Sequence, residues 1–450
     1  MAIEEADLIV IGSGQGGVPL AVDFARAGKR VVLFERGELG GTCVNYGCTP
    51  SKAFLASAHN AGRARLAASL GVHADVRVDQ RAVMERVRRV RAGWHDGIGP
   101  KLQKAGVDLV HANAAFSGER TVRGGGREIR ATTVLIDTGA SAAIPPIAGI
   151  ADVPYLTNAT FFDLDVLPER LIVVGAGYIG LELGQGAQRL GSHVTIVHGK
   201  DRVMEREEAD ASAVIRTSFE RDGVAFRFDA AATSVTHDGA SFRVTLADGS
   251  TLEGDGLLLA TGRKPNTSDL ATDASRVALA GNGTVVVDDY LRTTCPGVFA
   301  IGDVAGQPAF THVSWEDFRR VRSTLAGTPR RRDDRVLSYC TFTEPQLART
   351  GLTEEQAKAE GMAVRAVTLQ LEDVARGAEW DLELGFYRLV VDANNDKILG
   401  ATMVGYEAGE LIHVLGFAIE LGATWRDLDA FVGIHPTFGE GLPSLARLLE

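Results

Sequence analysis

Four consecutive apolar residues, Leu8-Ile-Val-Ile11, stop at Gly12, a pattern that predicts a short strand buried on both faces. Gly12-Ser-Gly14-Gln-Gly16-Gly17 then reads as a glycine loop and Val18 to Ala27 as a helix. Val31-Val-Leu-Phe34 reads as a second strand that ends at Glu35. The same order returns later in the chain. Leu171-Ile-Val-Val174 leads into Gly175-Ala-Gly177-Tyr-Ile-Gly180, a helical stretch runs to Leu190, and Val194-Thr-Ile-Val197 ends at His198. In both copies the strand-end residue stands at the same spacing after the middle glycine.

A strand, a glycine loop and a helix in this order form a βαβ dinucleotide-binding unit. The first glycine permits the tight turn and the second lets backbone approach a pyrophosphate. The third lets helix and strand pack closely, with the helix N-terminus facing the phosphate. Gly12, Gly14 and Gly17 fill these places in the first copy, and Gly175, Gly177 and Gly180 in the second. One such motif arises readily by chance, whereas two framed copies point to two bound dinucleotides.

Further apolar strands close on Thr138-Gly139 and on Ala260-Thr-Gly262, and Val298-Phe-Ala-Ile301 runs into Gly302-Asp303. The Asp303 carboxylate could meet a ligand hydroxyl there, although alone it reads as a turn residue. Thr328 to Arg335 is basic and polar and predicts a solvated linker. Strand patterns near Tyr387 to Val391 and Ile398 to Val404, then a helix from Glu407 to Leu421, predict a final α+β domain. The fold class expected is α/β: two Rossmann-like dinucleotide-binding domains followed by this C-terminal domain.

Composition narrows the chemistry. A chain of 450 residues outgrows one core and predicts about two to four domains. Its net charge of −11 disfavours a nucleic-acid partner. Leu8 to Ile11 follows Glu4, Glu5 and Asp7, so it matches neither a cationic leader nor a membrane span, and cytoplasmic residence without a membrane partner is the expectation.

Only four cysteines occur, Cys43, Cys48, Cys295 and Cys340, too few for a disulfide scaffold. The close pair Cys43 and Cys48 reads as metal-binding or redox-active. A structural zinc site wants about four Cys or His ligands, and no second close pair accompanies this one, so no metal site is expected. Pro50 stands where a helix could begin, which places Cys48 by the positive end of that helix and favours its thiolate.

Gly41-Thr-Cys43 through Cys48-Thr-Pro-Ser-Lys52, the paired glycine loops, Gly302-Asp303 and His435-Pro-Thr-Phe-Gly-Glu440 together resemble the flavoprotein disulfide reductases, in order and over nearly the whole chain. That pyridine nucleotide-disulfide oxidoreductase family includes glutathione reductase, dihydrolipoamide dehydrogenase and mercuric reductase. The resemblance implies a redox disulfide Cys43–Cys48 stacked against FAD, with NAD(P)H on the opposite flavin face. Cys48 would be the charge-transfer thiol and Cys43 the interchange thiol that attacks substrate. Lys52 and Glu182 match the family pair beside the flavin's reactive nitrogen, and Tyr178 the aromatic lid that nicotinamide displaces. Glu35, Gly41, Thr42, Thr138, Gly139 and Asp303 would join the first glycine loop around FAD. His435 and Glu440 match an acid–base dyad that reaches the disulfide from the other subunit of a homodimer. His312 has no such support and reads as structural.

The resemblance also implies domains. Residues 1–150 would begin the FAD-binding domain, 151–270 would bind NAD(P), 271–335 would complete the FAD-binding and central part, and 336–450 would form the dimerisation domain. Around the second dinucleotide, His198 and Gly262 join the second loop. His198 replaces the acid that normally accepts the ribose 2′-OH, and Lys200 and Arg202 follow it, so NADPH is expected over NADH. The chain ends Leu448-Leu-Glu450 without a C-terminal cysteine pair, and Phe310 to Arg319 and Tyr339 to Pro345 look most like the mercuric-reductase-like group without that tail. A disulfide is the expected acceptor. Lipoamide-type dithiol chemistry, metal-ion reduction and a non-catalytic redox-sensing flavoprotein are the alternatives.

Overall fold

The computed structural model describes residues 3–450. The apolar runs form central strands for the reason their pattern suggests: Leu8, Ile9, Val10, Val32 and Leu33 are buried from both sides. Strands Asp108–His111, Val31–Glu35, Glu4–Ile11 and Arg127–Ile136 lie parallel in that order, and Val298–Ala300 adds to the last of them in parallel. A hairpin, Ala115–Gly118 and Thr121–Gly124, extends the sheet antiparallel to seven strands.

A second, four-stranded parallel sheet runs in the order Ala225–Arg227, His193–Val197, Arg170–Val174 and Gly256–Leu259. An antiparallel three-stranded sheet, residues Ala232–His237, Phe242–Leu246 and Thr251–Gly254, packs beside it. The two dinucleotide units are joined by a short ladder between Ala140–Ala142 and Arg263–Pro265.

In each unit the first glycine is required by close approach. Gly12 has φ +99°, and a Cβ there would lie 2.3 Å from the Asp137 carbonyl oxygen. Gly175, with φ +113°, would place one 2.3 Å from the Ala260 oxygen. The first helix spans Gly17–Arg26, one residue earlier than its apolar pattern suggests, and the second Tyr178–Arg189.

The C-terminal region is an antiparallel five-stranded sheet in the order Ser338–Thr341, Gln346–Gly351, Ile398–Gly405, Phe386–Asp392 and Val364–Gln370. Helix Ala408–Glu420 covers it. Phe417 on this helix and Leu421 just past its end are exposed and lie outside this core.

Two expectations are corrected. The helix after the cysteine pair starts at Cys48 rather than at Pro50, and runs to Leu66. The basic stretch ending at Arg335 is not simply solvated. Arg335 bonds to Asp317, which is fully buried, and the Arg331 carbonyl accepts the Arg320 guanidinium. A buried carboxylate needs that partner, which is why this charge folds inward.

Candidate active site

Cys48 is the first residue of its helix, so its sulfur sits where backbone N–H groups are unpaired. Its Sγ lies 2.9 Å from Oγ1 of Thr311, which opens helix Thr311–Leu325. Cys43 lies in the preceding short helix, Gly41–Asn45, and both cysteines are free thiols. Hydrogen bonding from the Cys43 thiol pulls Cys48 down to about 6 against the opposing effect of burial, and Thr311 and the Lys52 charge add to the lowering. The same contact, together with burial, pushes Cys43 far above the ordinary thiol range. One thiolate and one thiol share the site.

Helix Cys48–Leu66 packs on helix Tyr178–Arg189, with Phe54 against Gly186, and that packing brings Lys52 to Glu182 at 2.8 Å. The second Glu182 oxygen accepts the Phe342 amide at 3.0 Å, and Lys52 Nζ stands 4.2 Å from the centre of the Phe342 ring. The first unit, the second unit and the C-terminal sheet thus converge on this ion pair.

A cavity of about 2260 Å³ runs from Glu35 along the first glycine loop, past Cys43 and Cys48, to Tyr178 and His198. Glu35 Oε2 accepts the Ser13 amide at 2.8 Å and its hydroxyl at 2.7 Å, and Oε1 accepts the Gly37 amide at 2.8 Å, which holds the carboxylate at the strand end. Asp303 pairs with Arg263 at 3.0 Å, and Arg263 also donates to the Thr42 hydroxyl at 3.2 Å. Thr138 and Asn266 exchange two hydrogen bonds beside Gly139. The Gly262 backbone has φ +116° and open space above it. The loop glycines and the length of the cavity fit a dinucleotide at each βαβ unit, and the first unit adds a fixed acid, Glu35, at its strand end.

Tyr178 starts the helix of the second unit and packs against Phe310 and Tyr339, at 6.1 Å between ring centres in each case. Its hydroxyl donates to the buried Glu207 at 2.5 Å. Tyr339 and Arg349 donate to the same carboxylate at 3.0 Å. Burial first, then the Tyr339 and Glu207 charges, push the Tyr178 phenol upward. His312 stacks on Phe310, and burial lowers it.

Not every expected residue reaches the cavity. His198 does, with Nε2 2.8 Å from Glu205. Lys200 and Arg202 are not on its wall, and Arg202 is turned back to donate to the Glu205 carbonyl at 3.0 Å. Arg206, which the spacing did not single out, lines it instead. His435 Nδ1 meets Glu440 at 2.8 Å, yet neither lines the cavity of their own chain. The His435 side chain is 74% exposed, among exposed Phe431, Val432 and Ile434.

Thr311, Phe342, Arg263, Glu207 and Asp137 escaped the sequence reading. Only Asp137 had a visible signal: it occupies the place that Ala260 takes in the second copy. Among the described residues no group of three or more His, Cys, Asp or Glu could hold a metal ion, and no helix is long and apolar enough to cross a membrane.

Comparison with known proteins agrees with this architecture. Dihydrolipoyl dehydrogenase 2 of Haloarcula marismortui is 34% identical over 98% of this chain and 96% of its own length. A mercuric reductase of Bacillus cereus is 34% identical over 97% of this chain and 70% of its own. The solved structure of the HOCl-induced flavoprotein disulfide reductase RclA from Escherichia coli superposes with a TM-score of 0.90 at 30% identity, covering 99% of this chain and 100% of that one. A Cu(II) complex of RclA gives 0.91. Residues 337–446 match the dimerisation domain of the pyridine nucleotide-disulphide oxidoreductases, and residues 6–317 match the preceding part of that family, which binds FAD and NAD(P)H. The chain belongs to the pyridine nucleotide-disulphide oxidoreductases.

Proposed function

We propose that this oxidoreductase is a homodimer that uses NADPH to reduce a disulfide through FAD and the Cys43–Cys48 pair. One observation carries the reading: the free cysteines Cys43 and Cys48 and the Lys52–Glu182 ion pair line one cavity between two dinucleotide loops. When bound, FAD supplies two-electron transfer between the nicotinamide and the disulfide.

The chain's own groups have distinct work. Cys43 first, then Thr311 and Lys52, favour the Cys48 thiolate, while Lys52 offers a positive charge where negative charge develops and Glu182 fixes its position. Glu35 would accept hydrogen bonds from the ribose hydroxyls at the first unit, and Asp303, oriented by Arg263, would hold the ribityl chain. Cys43 keeps its proton strongly, so its attack on substrate needs a base. His435, oriented by Glu440 and exposed among apolar side chains, is suited to take that proton from the partner subunit's Cys43. For the nicotinamide dinucleotide, the second strand ends without an acid. Arg206, on the cavity wall, has no ion pair among the described residues and can meet a 2′-phosphate, and Lys200, likewise without an ion pair, lies off that wall and adds positive charge near by.

A metal ion as acceptor is the second reading. It is supported by the relatives named mercuric reductase and by the Cu(II) complex of RclA. Anaerobic reduction by NADPH, followed by turnover with lipoamide, glutathione disulfide, Hg(II) and Cu(II), tests both. Disulfide turnover that survives Cys43→Ser would sink the first; rapid metal reduction without disulfide turnover would establish the second.

A further inference from the structure

The two dinucleotide units differ at one buried position behind the first glycine of the loop. Gly12 and Gly175 approach the carbonyls of Asp137 and Ala260 at the same distance, so these two residues occupy equivalent positions after their strands. Ala260 adds only a methyl group. Asp137 adds a carboxyl that lies beneath Gly14, where a Cβ would come within 2.6 Å of Oδ2, and accepts the Gly17 amide at 2.6 Å.

No Lys, Arg or His reaches Asp137 within ion-pair distance among the described residues, and it is 6% exposed. Three other acids face it: Glu35 at the strand end, Asp303 in the turn Gly302–Ala305 and Asp317 on helix Thr311–Leu325. Asp303 has Arg263, and Asp317 has Arg335 with Arg320 near by, but Asp137 has no cation of its own. An ionised carboxylate at the loop would also repel the pyrophosphate that such a loop binds. We infer that Asp137 serves the first glycine loop as an uncharged acid, whose carboxyl orders the loop by accepting the Gly17 amide without placing a negative charge beside the pyrophosphate.

Burial pushes this carboxyl well above its ordinary range, and the Gly17 amide offsets that only in part. A protonated carboxyl has a donor on one arm and an acceptor on the other, and an uncharged side-chain amide of the same shape likewise keeps a carbonyl oxygen to accept the Gly17 amide. The role rests on the flavin site proposed above.

Two measurements test it. Difference infrared spectra of wild type against Asp137→Asn near neutral pH should show a protonated-carboxyl band in the wild type that the variant lacks. Equilibrium titration of the apoproteins with FAD, followed by flavin fluorescence, should give Asp137→Asn an affinity within about threefold of wild type, with Asp137→Ala at least about tenfold weaker because the amide loses its acceptor. Absence of the band, Ala binding as tightly as wild type, or Asn binding as weakly as Ala would overturn the inference. If all three proteins are folded by circular dichroism and none binds FAD, the flavin site itself is refuted and this role falls with it.

Discussion

Cys48 Sγ and Thr311 Oγ1 stand 2.9 Å apart although 263 residues separate them, so the hydroxyl of one helix start is fixed on the thiol of another. A hydrogen bond to a charged acceptor stabilises it more than one to a neutral group, and here it favours the thiolate. Cys48, lowered to about 6, is mostly ionised above that pH and protonated below it.

Thr311→Val should therefore raise the midpoint of Cys48 titration by about one pH unit, equivalent to about 1.4 kcal/mol. The midpoint can be followed by the long-wavelength absorbance of the two-electron-reduced flavoprotein against pH. Cys48→Ser should lack this absorbance at every pH, whereas Cys43→Ser should retain it. An unchanged midpoint in Thr311→Val would remove the hydroxyl from the account.

The His435–Glu440 pair is exposed and lies off the cavity of its own chain, and the proposed function has it complete the site of a second chain. Homodimers of Cys43→Ser and of His435→Ala should each lose most disulfide turnover. Subunit exchange between them should restore activity, because about one site in each mixed dimer recovers both groups. Heterodimers demonstrated by mass and still inactive would refute a shared site.

Arg189, 3% exposed, binds Asp222 at 2.7 Å and also reaches Glu344, which in turn meets Arg63 at 2.5 Å. Burial works against the Glu344 charge, but Arg189, His59 and Arg63 outweigh it and hold the carboxyl below its usual range. The folded chain thus binds fewer protons here than the unfolded chain. This stability is present above the unfolded glutamate pKa of about 4.3 and is lost as pH falls through the lower folded value. Glu344→Gln should flatten that acid limb in thermal unfolding. Arg189→Leu should destabilise by about 3–5 kcal/mol because it strands buried acids. Parallel acid limbs in wild type and Glu344→Gln would contradict the assignment.

For the nicotinamide dinucleotide, Lys200→Ala with Arg206→Ala should lower kcat/KM for NADPH by about tenfold or more and leave NADH within about twofold. Arg202→Ala should change little, since its guanidinium faces the Glu205 carbonyl. A wild-type preference for NADH, unaffected by the double substitution, would reverse the proposed choice.

The βαβ units were legible because their signals are local. Apolar runs next to glycines, at spacings repeated in the second copy, specify strand, turn and helix without reference to distant residues. The same held for the position of Cys48 near a helix start, apart from a two-residue shift in the boundary. Glu35 at its strand end was equally readable, since strand and loop alone set its place.

What completes the site came only from the tertiary structure. Thr311, Phe342 and Asp137 reach Cys48, Glu182 and Gly17 across 263, 160 and 120 residues; a hydroxyl or a backbone amide has no sequence signature of such a contact, and the acid standing where the second copy has Ala260 marks a difference between the copies but not its partner. The chain crossings also decided which cations face the cavity, turning Arg202 away and Arg206 toward it. They set the protonation balance of Cys43 and Cys48 as well, because burial and neighbouring charge belong to the packed site rather than to the residues themselves. Local backbone preferences determine which elements form; the packing of the sheets and helices against one another determines which side chains those elements bring together.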